Sequence, residues 1–158
     1  MILHISLSQQ RCQLRHNDDC LFEAAVSTAR NGAGEQKNSG CTPRGWHVIR
    51  ACIGDGMPEN TVFVARRPTG EIYTEKLGQQ CPQRDWILTR ILWLSGLEVG
   101  KNRLGNVDTM RRYIYIHGCP DSVPVGVPLS HGCIRMHNRE LLTLFTLVRP
   151  GTRVMIDD

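Results

Sequence analysis

The chain has 158 residues, of which 41% are apolar and 22% charged, a composition typical of a globular domain with one hydrophobic core. These fractions exclude a disordered chain, a coiled coil and a collagen-like fibre. The net charge of +4 is carried almost wholly by arginine, because Lys37, Lys76 and Lys101 are the only lysines. Arginine binds carboxylates and phosphates through paired hydrogen bonds, so this bias fits an anionic ligand.

The first half of the chain alternates apolar and polar side chains in short runs separated by turn residues, a pattern that predicts half-buried β-strands. Such strands are expected at residues 2–7, 11–14, 20–27, 46–52 and 61–66. For the third of these runs a helix over 22–25 is the alternative. The polar, glycine-rich residues 31–40 predict a loop.

The second half contains two almost continuously apolar runs. Residues 86–94 predict a buried strand or the side of a cleft, and residues 113–116 predict a strand covered on both faces. The second run ends at His117-Gly118, so His117 is expected at a strand terminus. Asn138 is a suitable N-cap for a helix over 139–148, and a closing strand is expected at 152–156. Together these elements predict a single domain over residues 1–158, mainly β with one or two helices.

The opening residues and the cysteines bear on location. Residues 1–8 alternate apolar and polar, whereas a secretory signal needs a basic start and an apolar run. No stretch approaches the roughly 18 apolar residues of a membrane helix. Seven irregularly spaced cysteines would leave a thiol unpaired in an oxidising compartment. A cytoplasmic location is therefore expected, and a periplasmic protein whose native leader was removed is the alternative.

The most informative segment is Ser130-His131-Gly132-Cys133-Ile134-Arg135, with His117-Gly118 upstream. A thiol becomes nucleophilic when an imidazole takes its proton. A glycine before the nucleophile permits the turn that exposes the sulfur and points backbone amides at an oxyanion. An arginine nearby can hold a carboxylate with two hydrogen bonds. The segment therefore predicts a cysteine acyl-transfer site.

This pattern resembles the L,D-transpeptidase catalytic domain, or YkuD domain, in which a His-Gly element precedes Ser/Thr-His-Gly-Cys-x-Arg. Weaker similarities extend over most of the chain, at Ser8-x-Gln10-Arg11, Val26-Ser27-Thr28, Thr42-Pro43-x-Gly45 and Gly151-Thr152. Two residues depart from the family pattern. Ala29 stands where glycine commonly follows Ser-Thr, and Cys119 replaces the threonine or serine often found after His-Gly. The second departure places another thiol near the site and leaves a redox pairing with Cys133 open.

The resemblance implies a YkuD-like β-sandwich with a capping helix, in which Cys133 forms a thioester and His117 acts first as base and then as acid. The resemblance also implies supporting roles in the same two motifs. The Gly118 carbonyl would orient the imidazole, and His131 with the amides of Gly132 and Cys133 would line the oxyanion site. Arg135 would hold the site or the peptide carboxylate, and Ser130 would brace the loop.

The resemblance also implies cleavage of the bond between an L-centre and D-alanine in a cell-wall stem peptide. Water would resolve the thioester by carboxypeptidation and an amine by transpeptidation. Because crosslinking needs polymeric wall as acceptor, a cytoplasmic L,D-carboxypeptidase acting on tetrapeptides in wall recycling is expected; the alternative is a periplasmic L,D-transpeptidase. The expected partners are muropeptides or stem peptides, with carbapenem β-lactams as covalent inhibitors. Neither nucleic acid nor membrane is expected, since no basic run interleaves with aromatic residues.

Two other classes of function stay open. The pairs His117-x-Cys119 and His131-x-Cys133 suggest a zinc site, although zinc ligands are usually spaced by about two to four residues and no cofactor or metal is expected. A binding module that keeps the pocket without turnover would carry the same residues. Such a module would not form a stable acyl adduct at Cys133.

Overall fold

The computed structural model describes residues 1–158 as ten strands, two α-helices and one 3-10 turn, Gly105–Val107. The mainly β class with two helices confirms the predicted fold class. The strands in chain order are β1 (Ile2–Ser6), β2 (Arg11–His16), β3 (Asp19–Ala25), β4 (Gly45–Ile53), β5 (Thr61–Val64), β6 (Arg67–Ile72), β7 (Ile87–Gly96), β8 (Tyr115–Cys119), β9 (Ile134–His137) and β10 (Arg153–Asp157). The helices are α1 (Glu75–Gln80) and α2 (Asn138–Leu147).

All ten strands join one curled sheet. Its main path runs β3-β2-β1-β10-β4-β7-β5-β6, while β8 pairs with β7 and β9 pairs with β8. Two pairings are parallel, β1 with β10 and β8 with β9, and the others are antiparallel. Strand β7 is the hub, because it pairs with β4, β5 and β8. Its nearly continuous burial accounts for the apolar run in the sequence.

The core is a cluster of 18 buried residues drawn mainly from the strands of the sheet and from α2. Helix α2 packs on β7, β8 and β9, with Leu141 and Leu144 completely buried on its inner face. Burial of each leucine stabilises the fold by about 1.5–3 kcal/mol. The helix is therefore anchored over the two strands that carry the His-Gly and Ser-His-Gly-Cys motifs. No helix in the structure combines the length and apolarity that a membrane crossing requires.

Two predicted element ends were wrong. His117 lies in the middle of β8 rather than at its terminus, because β8 continues beside β9 in the register His117↔Arg135 and Cys119↔His137. Asn138 begins α2 instead of capping it, and its side-chain amide donates to Asn60 Oδ1 at 2.8 Å. Tertiary contacts decide both ends, so the local pattern did not reveal them.

Two elements were not predicted, β6 and α1. Strand β6 contains proline and glycine and is largely exposed at the edge of the sheet, so it lacks the alternating pattern of a half-buried strand. Helix α1 has no buried residue and is capped by the Thr74 hydroxyl, which accepts from the Leu77 amide at 3.1 Å. The β5–β6 hairpin matters below because its turn reaches the cavity that contains Cys133.

Candidate active site

The two sequence motifs meet because β8 and β9 are parallel neighbours. His117 lies on β8, and Cys133 directly precedes β9, where Ile134 pairs with Ile116. Both His117 and Cys133 line one cavity of about 470 Å³. Its other lining residues are Ala65, Arg66, Asp85, Ile87, Arg112, Tyr113, Ile114, Tyr115, Ser130, His131 and Arg135. The fold therefore brings the predicted nucleophile and base into a single pocket.

The imidazole of His117 is buried and held in one orientation. Its Nδ1 lies 2.7 Å from the Gly118 carbonyl oxygen, which can only accept a hydrogen bond. Nδ1 therefore carries the ring proton, and Nε2 is left with its lone pair. Burial lowers the pKa of His117, and the bond to Gly118 opposes that change only in part. The ring is thus a neutral base whose tautomer is fixed by the backbone.

The Cys133 thiol contacts the backbone of the segment that leads into β8. The Tyr115 amide donates to Sγ at 3.3 Å, and the thiol donates to the Tyr113 carbonyl at 3.4 Å. Burial raises the pKa of Cys133 to about 12, and the Tyr115 amide acts in the opposite direction. No hydrogen bond joins the thiol to the imidazole. At neutral pH the cavity therefore holds a neutral thiol and a neutral imidazole, not a preformed ion pair.

The loop before Cys133 is fixed by side chains on both of its sides. The Ser130 hydroxyl donates to the Cys133 carbonyl at 2.5 Å, and the buried Thr42 hydroxyl donates to the Gly132 carbonyl at 2.9 Å. Gly132 has a φ of +133°, and a Cβ there would meet the Cys41 carbonyl oxygen at 3.2 Å. This conformation and this close approach explain why the loop requires glycine.

The backbone amides of the loop differ from the expected oxyanion site in one respect. The Gly132 amide donates to the Ser130 hydroxyl at 3.2 Å, so it is already engaged. The amides of His131 and Cys133 make no hydrogen bond within the protein. The His131 side chain is exposed and lines the cavity mouth. The donors that remain free for a developing oxyanion are therefore those of His131 and Cys133.

Three arginines line the cavity, and only Arg135 was singled out from the sequence. Its guanidinium is paired with Asp85 Oδ1 at 3.2 Å and also donates to the Leu129 carbonyl at 3.4 Å. Asp85 is the only acidic residue in the lining, so the cavity carries a net positive charge. Such a cavity attracts an anionic ligand, as the arginine-rich composition suggests.

Sequence reasoning did not identify Arg66, Asp85, Arg112 or Tyr115 as cavity residues. Arg66 projects from the β5–β6 turn, and Asp85 precedes β7, so only the pairing of β5 and β8 with β7 brings them near Cys133. No motif spacing marks either of them. The arginine bias of the composition was the one signal that pointed towards these cations.

The second thiol, Cys119, does not line the cavity. It is buried in β8 and donates to the Met136 carbonyl at 3.6 Å. Burial raises its pKa to about 12. No three His, Cys, Asp or Glu side chains are grouped so that they could hold a metal ion.

The match to a known protein family extends over nearly the whole chain. The family model described as the L,D-transpeptidase catalytic domain, YkuD, matches residues 1–156. The putative L,D-transpeptidase YkuD of Bacillus licheniformis is 46% identical over 46 residues, a match that spans 29% of this chain and 28% of that relative.

Solved structures share the fold at low sequence identity. L,D-transpeptidase 3 from Mycobacterium tuberculosis, in complex with a faropenem-derived adduct, superposes with a TM-score of 0.57 at 14% identity, covering 99% of this chain and 60% of that one. The L,D-transpeptidase LdtMt1 in complex with imipenem gives 0.56 at 19% identity, covering 98% and 57%. The chain thus spans less than two thirds of these structures. With a family model matched over residues 1–156, the chain belongs to the YkuD family of L,D-transpeptidase catalytic domains.

Proposed function

We propose that this chain is a cysteine-dependent L,D-carboxypeptidase that releases the terminal D-alanine of peptidoglycan-derived tetrapeptides through a thioester. One observation carries the acyl-transfer chemistry: Cys133 and a neutral His117 with an unoccupied Nε2 share a cavity at two adjacent strands. Membership of the L,D-transpeptidase family supports the choice of a stem peptide as substrate.

In the proposed acylation, substrate binding turns the Cys133 thiol from the Tyr113 carbonyl towards His117 Nε2. The proton passes to Nε2 as the sulfur attacks the scissile carbonyl, which avoids forming a free thiolate in a buried site. The carbonyl oxygen becomes an oxyanion and accepts from the free amides of His131 and Cys133. The carbon–nitrogen bond then breaks, and the imidazolium returns its proton to the departing amine of D-alanine.

In the proposed deacylation, water takes the place of the amine. His117 Nε2 accepts a proton from water as its oxygen attacks the thioester carbonyl. The carbon–sulfur bond breaks, and the Cys133 sulfur recovers a proton from the imidazolium. The products are a tripeptide with a new carboxylate and the original neutral thiol.

We propose hydrolysis rather than crosslinking because we also propose a cytoplasmic location, where soluble muropeptides would be the available substrates. The seven free cysteines, among them the exposed Cys20, support a reducing compartment. The alternative is crosslinking of stem peptides in the periplasm, and the names of the relatives favour that activity.

The experiment that tests the proposal is incubation of the purified protein with a disaccharide-tetrapeptide, with and without an acceptor peptide. Hydrolysis predicts free D-alanine and tripeptide in equal amounts, with little change on adding acceptor. The Cys133→Ala variant is the matched control. Crosslinked dimer as the main product, formed with one D-alanine released per crosslink and with little free tripeptide, would overturn the carboxypeptidase assignment in favour of transpeptidation.

A further inference from the structure

The cation of the cavity with the fewest hydrogen bonds to the protein is Arg66. Arg112 donates to the carbonyls of Gly34, Glu35 and Cys41 and to the Ser39 hydroxyl. Arg135 is paired with Asp85 and the Leu129 carbonyl. Arg66 makes a single hydrogen bond, from Nη1 to the Tyr115 hydroxyl at 2.9 Å. Its Nε and Nη2 groups therefore keep their protons available to a ligand.

The side chain of Arg66 is held in place without a carboxylate. Its guanidinium carbon lies 4.6 Å from the Tyr113 ring centroid and 4.9 Å from that of Trp93. Cation–π contacts of this kind orient a guanidinium while its edge stays free for planar recognition. The backbone supports the placement: Ala65 and Arg66 have φ of +49° and +65° in the tight turn between β5 and β6. Two consecutive left-handed residues without glycine are a strained turn, and strain of this kind is concentrated at functional sites.

The position of Arg66 relative to Cys133 is set by Tyr115. The Tyr115 amide contacts the Cys133 sulfur, and the hydroxyl of the same residue contacts the guanidinium. One tyrosine residue, through its backbone amide and its hydroxyl, therefore links the nucleophile to the cation. In an attack geometry the scissile carbonyl lies ~3–3.5 Å from the nucleophile, and one further residue adds roughly 3.5 Å. A carboxylate one residue beyond the scissile carbonyl thus lies roughly 7 Å from the sulfur, and Tyr115 links that sulfur to the guanidinium through a single residue.

We propose that Arg66 is a specificity-determining residue that binds the free terminal carboxylate of the residue to be released. The inference rests on the proposed function and deepens it, because it makes the enzyme selective for a chain end. The carboxylate would form paired hydrogen bonds with Nε and Nη2 while Nη1 stays on Tyr115. Arg135, whose guanidinium is neutralised by Asp85, is then a positioning residue of the loop and not the carboxylate anchor.

The test compares a tetrapeptide that ends in a free carboxylate with the same peptide ending in a carboxamide. The wild-type enzyme should prefer the acid by roughly 10- to 100-fold in kcat/KM, as expected for loss of a charge-assisted hydrogen bond. In Arg66→Gln this ratio should fall towards one, and Arg66→Lys should keep part of it. Arg153→Gln is the matched control and should keep the full ratio. The Arg153 guanidinium carbon lies 4.3 Å from the Trp46 ring centroid, and neither residue lines the cavity.

If Arg66 had a purely structural role, Arg66→Gln would lower kcat/KM for both peptides by the same factor. The ratio of acid to carboxamide would then be unchanged, and this result would overturn the proposal. If the wild-type protein cleaves neither peptide, the proposed function fails instead. Protection of Cys133 from iodoacetamide then decides on Arg66 by binding alone. The free-acid peptide should protect the wild type better than the amide, and equal protection by the two would refute carboxylate recognition.

Discussion

The Gly118 carbonyl accepts the Nδ1 proton of His117 at 2.7 Å. A backbone acceptor thus takes the place that a carboxylate occupies in a three-residue catalytic triad. A carbonyl fixes the tautomer, as a carboxylate does, but it brings no full negative charge to stabilise an imidazolium. Burial keeps the pKa of His117 below its ordinary value and the ring neutral, and the hydrogen bond to Gly118 opposes this only in part.

Replacement of the nucleophile should abolish turnover without unfolding the protein. Cys133→Ala is expected to lower D-alanine release by at least about 10³-fold, because no covalent intermediate can form. Cys133→Ser should be nearly as inactive, because an alkoxide is harder to generate than a thiolate. Thermal unfolding of both variants should match the wild type. Turnover in Cys133→Ala near the wild-type rate would exclude a thioester at this position.

A carbapenem should acylate Cys133. The solved relative with bound imipenem motivates the choice of compound. Intact-mass analysis after incubation with imipenem should show one covalent addition, and peptide mapping should place it on Cys133 rather than on the exposed Cys20. The Cys133→Ala variant should take up none. A protein that remains unlabelled at Cys133 would favour a binding module over an enzyme.

The glycine before the nucleophile should be needed for both conformation and space. Gly132→Ala places a side chain at φ +133°, 3.2 Å from the Cys41 carbonyl oxygen and 3.3 Å from Ile114 Cδ1. Strain of about 1–3 kcal/mol and displacement of the adjacent sulfur are expected. The result should be lower stability in urea unfolding and a large loss of kcat/KM.

The control variant Gly126→Ala separates the effect of backbone strain from that of displacing the Cys133 sulfur. Gly126 also has a left-handed φ, of +88°, but a Cβ there would meet nothing within 4 Å. This variant should lose stability and keep its kcat/KM. Equal losses of activity in Gly126→Ala and Gly132→Ala would mean that the effect reflects general destabilisation and not the position of the sulfur.

Stability should fall in mild acid because of a buried histidine outside the cavity. His47 is fully buried between the Gly45 carbonyl, at 2.9 Å, and the Thr109 hydroxyl, at 3.0 Å. Burial lowers its pKa to about 4. The unfolded chain, with a histidine pKa of about 6.5, then binds more protons than the native state, so stability declines as the pH falls from about 6.5 to about 4.

Between pH 7.5 and pH 5 this single group should cost about 2 kcal/mol in the free energy of unfolding, measured with urea. The His47→Gln variant should be less stable than the wild type at pH 7.5, but its free energy of unfolding should fall much less on acidification. The control is His16→Gln, since His16 is an exposed residue at the end of β2. A wild-type stability that does not change over this range would contradict the neutral, buried state of His47.

The strands that could be predicted are those whose pattern follows local burial. The apolar run at 86–94 became β7 because that strand is covered on both faces. The run at 113–116 was less informative. Tyr113 adopts a φ of +56° and lies just before β8. Its carbonyl oxygen accepts a hydrogen bond from the Cys133 thiol. A turn of this kind in a tyrosine is imposed by tertiary contacts, so residue type alone did not indicate it.

The motif residues of the candidate site were predictable, and the cations around them were not. Cys133 and His117 stand in a spacing that indicates acyl-transfer chemistry, and the parallel pairing of β8 with β9 places them together. Arg66 reaches the cavity through a hairpin turn whose two residues have no turn signature. Only the pairing of β5 with β7 shows that this arginine lies near the nucleophile.

The pH dependence of kcat/KM for D-alanine release, compared between wild type and His117→Gln, tests most directly whether the imidazole takes the thiol proton. In the wild type, activity should decline on the acid side only below pH 6.5, because the base must be neutral and its pKa is lowered by burial. In His117→Gln, kcat/KM should fall by about 10²–10⁴-fold and the decline on the acid side should disappear. His131→Gln should keep that decline. A His117→Gln enzyme within tenfold of the wild type, with the same decline on the acid side, would contradict the assignment of His117 as the base.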